Sequence, residues 1–159
     1  TISAMTTNRD LKKTYGSIPV ELEGYGQIDS GVLKLGCFLA DHVKLGIGIH
    51  LNGGAMIGTG SNIFGVHFAP KTIPPFTWGG EVFREYRIDA MVDVARKVMG
   101  RRKVELTPPA EAVLRDVFAM TRGERVAMGG IPADRDAERG LRRAEADALK
   151  AYELTESGG

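Results

Sequence analysis

The sequence predicts a mainly β fold with appended α structure: a parallel β-helix wound on a hexapeptide repeat, followed by two or three helices. Three observations predict it, namely a spacing of six among aliphatic residues, a glycine-rich first half and a change of composition near residue 80. Every sixth residue from Leu33 is a large aliphatic, through Leu39, Leu45, Leu51, Ile57 and Ile63. Four residues after the first five of these stand Cys37, Val43, Ile49, Ala55 and Ser61, each small or β-branched, and this second series stops at His67. A helix repeats every 3.6 residues and a strand face every 2, so neither produces a register of six. At helical spacing the chain offers Gly36, Asp41, His42, Gly48 and Gly54 instead. Six suits a prism of three flat faces, with the large aliphatic filling the centre and the small residue packed beside it near a corner. Three hexads make one coil, so Leu33 to Ile63 supplies about two coils. Glycines such as Gly48 and Gly60 relieve corners where a positive φ is cheap only without a Cβ.

Before the repeat, Ser17 to Glu23 alternates apolar and polar residues, Gly24-Tyr25-Gly26 breaks the pattern, and Gln27 to Gly31 follows. This predicts a hairpin over about residues 16–32 that projects from the coils. After the repeat, Lys71 to Gly80 carries Pro74 and Pro75, which exclude helix and central strand alike. Of 21 glycines, 14 precede residue 81, whereas 30 of the 41 charged residues follow residue 80. The division is therefore residues 1–80 as coils with hairpin and proline-rich exit loop, 81–128 as a helical segment, and 129–159 as a charged helix or disordered tail.

In the charged half, Ile88, Met91, Val92, Ala95, Val98 and Met99 form one helical stripe, which Gly100 is expected to terminate. A second helix is announced by Thr107 as N-cap, Pro108 at the first position and Glu111 in the first turn, with Val113, Leu114, Val117, Phe118 and Met120 as its apolar side. From Ala133 only Leu141, Ala144, Ala148 and Leu149 make a thin stripe, and Arg135 to Arg143 reads as a solvated face.

The balance of 21 Lys+Arg against 20 Asp+Glu gives no electrostatic footprint for nucleic acid. A single cysteine, Cys37, excludes an internal disulfide and points to a reducing, cytoplasmic setting. No apolar run approaches the roughly 20 residues that span a bilayer, so no membrane partner is expected. The chain opens at Thr1 inside an extended run, which reads as part of something longer. The three histidines, His42, His50 and His67, are separated by 8 and 17 residues without an accompanying carboxylate pair, so no metal site is predicted.

Particular blocks go further than periodicity. Leu39 to Gly48 resembles a coil of left-handed β-helix transferases. Ile28-Asp29-Ser30-Gly31, Ile63-Phe64-Gly65 and Pro74-Pro75-Phe76-Thr77-Trp78-Gly79-Gly80 together resemble the C-terminal region of sugar-1-phosphate nucleotidylyltransferases related to the bifunctional N-acetylglucosamine-1-phosphate uridylyltransferase/glucosamine-1-phosphate acetyltransferase. Asp10 to Gly16 is similar to a loop that follows an upstream coil there, and the resemblance covers about residues 5–122. It implies a left-handed coil, a transferase family, and a region serving subunit assembly and ligand binding. The alternatives are an acyl-CoA-dependent acetyltransferase domain acting on an amino-sugar phosphate, and a stand-alone assembly module.

The resemblance implies ligand contacts, to a sugar phosphate or nucleotide sugar, from Lys12, Lys13, Tyr15 and Lys44. His50, at a corner just before inward Leu51, is expected to face a neighbouring subunit or a ligand. No catalytic residue is assigned, because the histidine of the bifunctional relatives corresponds to a position before Thr1. The serine that contacts the acetyl group there falls near Ile47, which has no hydroxyl. No cofactor is fixed: acetyl-CoA belongs to the acyl-transfer alternative, and Mg²⁺ to a nucleotidyl-transfer domain whose glycine-rich signature this chain lacks. Self-association as a homotrimer is expected, with His50 and the loop from Lys71 to Trp78 near the interface, since Phe76 and Trp78 have no periodic core to join.

Overall fold

The computed structural model describes residues 1–22, 24–65 and 68–129. His67 and the expected charged tail, apart from Gly129, lie outside the described residues. Among the described residues eleven short strands precede three helices: β1 (Thr7–Asn8), β2 (Pro19–Leu22), β3 (Gly26–Asp29), β4 (Phe38–Leu39), β5 (Lys44–Leu45), β6 (His50–Leu51), β7 (Met56–Ile57), β8 (Asn62–Ile63), β9 (Thr72–Ile73), β10 (Thr77–Gly79), β11 (Phe83–Glu85), α1 (Ile88–Gly100), α2 (Pro108–Met120) and α3 (Arg122–Ala127). None of these helices is long and apolar enough to cross a membrane.

The expected left-handed parallel β-helix is corrected here. The described strands are set in four small sheets, β1-β6, β2-β3, β4-β7-β9 and β5-β8-β10-β11, which mix parallel and antiparallel pairs, and no closed or solenoid sheet joins them. The physical reason lies in strand length and in the exits. From β4 to β9 every strand is two residues long, so each ladder is only a few hydrogen bonds wide. At β10 the chain turns back on itself, pairing Trp78 with Arg84 antiparallel to β11.

The spacing of six nevertheless decides which strands meet. Phe38 pairs with Met56, Lys44 with Asn62, and His50 bridges to Phe68, each eighteen residues on. Leu45, Leu51, Ile57 and Ile63 are consequently buried in one core with Val43, Ile49, Ala69 and Ile73. Two members of the series differ from expectation. Leu39 is only half-buried, because β4 is an edge strand paired on one side. Leu33 is 47% exposed: the chain beside it pairs with the Asp10–Leu11 loop, through Leu35 N–H to Asp10 O at 2.9 Å and an antiparallel Leu11–Lys34 bridge, before the parallel stacking begins.

The hairpin forms from β2 and β3, with Pro19 opposite Asp29 and Leu22 opposite Gly26. Inside its base Ile18 is buried. Phe76, expected at an interface, belongs instead to a second core with Met91, Val92, Ala95, Leu106 and Leu114. The side chain of Ser61, buried beneath the proline turn, donates to Pro74 O at 2.9 Å and accepts from Thr77 N–H at 3.3 Å. That satisfies a polar group inside an apolar seam.

Helix α1 buries Met91, Val92 and Ala95 as its stripe predicts. Gly100 is its last residue rather than a left-handed stop; the turn out is made by Lys103 at φ 57°. Thr107 stands at the N-cap of α2 in extended conformation with Pro108 behind it, but its hydroxyl makes no capping hydrogen bond. On α2, Ala110, Leu114, Val117 and Phe118 face the second core, while Val113 and Met120 are exposed. Both lie about a quarter turn off the face that Leu114 and Val117 define.

The differing burial of one residue series yields a graded expectation. Leu45→Ala and Leu51→Ala, each a buried large-to-small change, lower the unfolding free energy by about 2–5 kcal/mol. Leu33→Ala changes it by less than about 0.5 kcal/mol. Urea unfolding of the three variants reads this directly, and a Leu33 effect equal to that at Leu45 would contradict the core assigned here.

Candidate functional site

The five residues that the sequence marks as ligand contacts lie at three separate places. Lys12 sits in the loop after β1, where Tyr15 N–H donates to Lys12 O at 3.0 Å and closes a turn. Tyr15 takes a left-handed backbone conformation, φ 53°, and both it and Lys13 are exposed. Lys12 is half-buried and lines a cavity of about 260 Å³ with Arg9, Ile18, Asn52, Gly53 and Lys71. Neither Lys13 nor Tyr15 is among the residues that line it.

This cavity lies where the hairpin base meets the repeat. Arg9 follows β1 and is anchored by its N–H to Leu51 O at 2.9 Å. Lys71 precedes β9 and donates from Nζ to Pro19 O, tying the hairpin to the third strand of its sheet. Gly53 forms the floor: a Cβ there would stand 2.9 Å from both Arg9 O and Leu35 O. Burial, then the Lys12 ammonium, pushes Lys71 below its ordinary pKa of 10.5, with Glu21 opposing. Nearby, Ser17 and the Gly31 amide, together with the charge of Lys12, hold Asp29 below its ordinary 3.8.

Lys44 is elsewhere. Its Nζ donates to His42 O at 3.1 Å, and burial holds its ammonium below 10.5. His42 occupies the corner before it at φ 59°. Burial and then the Lys44 charge lower the His42 pKa from 6.5, against the pull of Asp41. His50 shares a hydrogen bond between Nδ1 and Thr7 Oγ1 and lies 5.1 Å, centroid to centroid, from Phe68. Thus of the five marked residues Lys12 alone lines the cationic cavity; Lys44 and His50 do not.

Arg9 and Lys71 are the members that sequence reasoning did not single out. They are 62 residues apart in the chain, and no motif or spacing announces them. The pairings of β1 with β6 and of β7 with β9 bring them together.

A larger cleft, about 550 Å³, opens between the β4-β7-β9 sheet and α3. Its lining is mostly apolar, with Phe38, Met56 and Pro75, and with Glu21 and Glu124 among its few polar members. Cys37 lies in it, but burial raises the thiol pKa above its ordinary 9.0, so the thiolate that nucleophilic chemistry requires is scarce. Among the described residues no cluster of three or more His, Cys, Asp or Glu side chains gathers as a metal centre would need.

Compared with family models and with curated proteins, the chain matches none.

The shifted histidine gives a pH dependence of known sign. Because His42 has a lower pKa folded than unfolded, the unfolded chain binds more protons between the two values, and stability rises with pH there. The contribution of His42 to stability is thus fully present above about 6.5 and is lost as pH drops through 6.5 towards the folded value. His42→Asn, which tolerates the left-handed corner, is expected to flatten the slope between pH 7.5 and 5.5. Urea midpoints of the two proteins at each pH measure it, and an unchanged slope would contradict the assignment.

Proposed function

We propose that this chain is the assembly and ligand-binding region of a sugar-1-phosphate nucleotidylyltransferase-like protein, related to the bifunctional uridylyltransferase/acetyltransferase family, that acts in the cytoplasm as a homotrimer and handles a sugar phosphate or nucleotide sugar. The family reading rests on the sequence blocks quoted above. The observation that carries the assembly role is an edge of uncovered apolar side chains. Ile2 bridges Leu45, Leu45 pairs with Ile63, and Ile63 pairs with Gly79, so these four residues stack in one column. Large side chains at and around that column are left outside: Met5 and Ile47 are 77% and 73% exposed, and Ile2, Phe64 and Trp78 are exposed as well. Phe64 packs edge-on against Trp78 with ring centroids 4.6 Å apart, so the edge presents a formed aromatic pair. Several large apolar side chains exposed around one strand column support reading this face as a protein contact surface.

A polar substitution on that edge separates assembly from folding. Size-exclusion chromatography with light scattering is expected to give a trimer at micromolar concentration. The doubly substituted Phe64→Ser, Trp78→Ala chain should elute as a monomer with its helical circular dichroism retained. A wild-type chain that runs as a folded monomer would overturn the proposal.

A further inference from the structure

We propose that the cavity between Arg9, Lys12 and Lys71 binds a phosphoryl group carrying two negative charges, either as a phosphate monoester or as free phosphate. The inference deepens the ligand-binding part of the proposed function and rests on that reading for the choice of a sugar phosphate as probe, while its geometry rests on the cavity. Three cationic residues line one cavity from two segments: Arg9 and Lys12 in the loop after β1, and Lys71 just before β9. Among the described residues none of the three joins a carboxylate at ion-pair distance. Glu21 and Asp29 act on Lys71 and Lys12 through space without reaching ion-pair distance, and their oxygens are already taken up by other donors. Glu21 accepts from Thr72 Oγ1 at 3.2 Å, and Asp29 accepts from Ser17 and from Gly31 N–H. Gathering like charges is unfavourable unless a counter-charge enters, and a dianion is the smallest ligand that offsets most of three.

The donor chemistry suits a phosphoryl oxygen set. Arg9 offers a planar fork and Lys12 a compact charge. Lys71 spends one ammonium hydrogen on Pro19 O and keeps two for a ligand, and Asn52 lines the same space with a carboxamide. The floor is closely packed, since a Cβ at Gly53 would stand 2.9 Å from two backbone oxygens and one at Gly54, whose φ is 71°, would meet Pro19 O at 2.6 Å. At about 260 Å³ the space is below the roughly 300 Å³ at which pockets for drug-sized ligands begin. It therefore fits a phosphoryl group with a short stem, and a whole nucleotide would extend beyond it.

Isothermal titration of the full chain at fixed ionic strength tests this, with inorganic phosphate, glucose 1-phosphate and potassium chloride as titrants. Saturable binding of at least one phosphoryl compound is expected, with none for chloride. Arg9→Gln and Lys12→Gln should each weaken it about tenfold, the loss of one charge-assisted hydrogen bond. The Arg9 and Lys12 side chains hold no other described hydrogen bond, so their variants are expected to unfold at the wild-type urea midpoint; Lys71→Gln also releases the hairpin and serves only as a third arm. Glucose 1-phosphate binding tenfold or more tighter than phosphate identifies the monoester as ligand, and equal affinities identify the free anion. Heats no larger than those of chloride, or Arg9→Gln and Lys12→Gln chains that bind as the wild type does, would overturn the proposal.

Discussion

The turn from Pro74 to Thr77 joins the two cores, and the rest of the structure depends on how closely it can lie against the strands. Gly58 permits the approach: a Cβ there would stand 2.3 Å from Pro75 N. Gly60, at φ 72°, makes room for the Phe76 ring, which a Cβ would meet at 2.8 Å. Phe76 itself holds a left-handed backbone, φ 56°, at a cost on the order of 1–3 kcal/mol for a bulky residue. Full burial of its ring returns roughly 1.5–3 kcal/mol. Its backbone adds hydrogen bonds to Thr59 O and from Tyr86 N–H, both at 2.7 Å. The strained conformation is thus offset where it arises.

Around that ring the helices are fixed by one buried cation. Arg125, 2% exposed, pairs with Glu85 at 3.0 Å, stands over the Phe118 ring at 4.3 Å from its centroid, and donates to Phe118 O at 2.7 Å and Thr121 Oγ1 at 2.8 Å. With each of its three guanidinium nitrogens engaged, its desolvation is compensated; removing one partner of such a pair typically costs about 3–5 kcal/mol. These bonds tie α3 to β11 and to the end of α2, and so define one wall of the larger cleft. The hairpin side is organised by Lys71, which ties the hairpin base at Pro19 and lines the cationic cavity with Gly53. Site and seam are connected through β9, which begins just after Lys71 and runs into Pro74.

Legibility in the sequence followed the range of the interactions concerned. The series from Leu45 to Ile63 was readable because side-chain direction repeats with the chain, and the hairpin and Thr107-Pro108 because turn and cap chemistry is local. The fold class was not, since periodicity reports which side chains turn inward but not how far a ladder of two-residue strands extends. Phe76 was misplaced because it enters its core by a positive φ, outside any period. Arg125 reads as surface charge on a short helix, and only the fold reveals Glu85 and Phe118 around it. Of the cationic cavity the sequence offered Lys12 alone; Arg9 and Lys71 depend on register between distant strands.

If the proline turn makes the strands and helices one cooperative unit, both halves must unfold together. The single tryptophan, Trp78, reports on the strand side next to the turn, and circular dichroism at 222 nm reports on the helices. Equilibrium urea unfolding followed by both signals is expected to give coincident transitions, with Phe76→Ala moving the two midpoints down together. Separate transitions, or a Phe76→Ala chain in which the helical signal shifts while the Trp78 signal does not, would contradict the account.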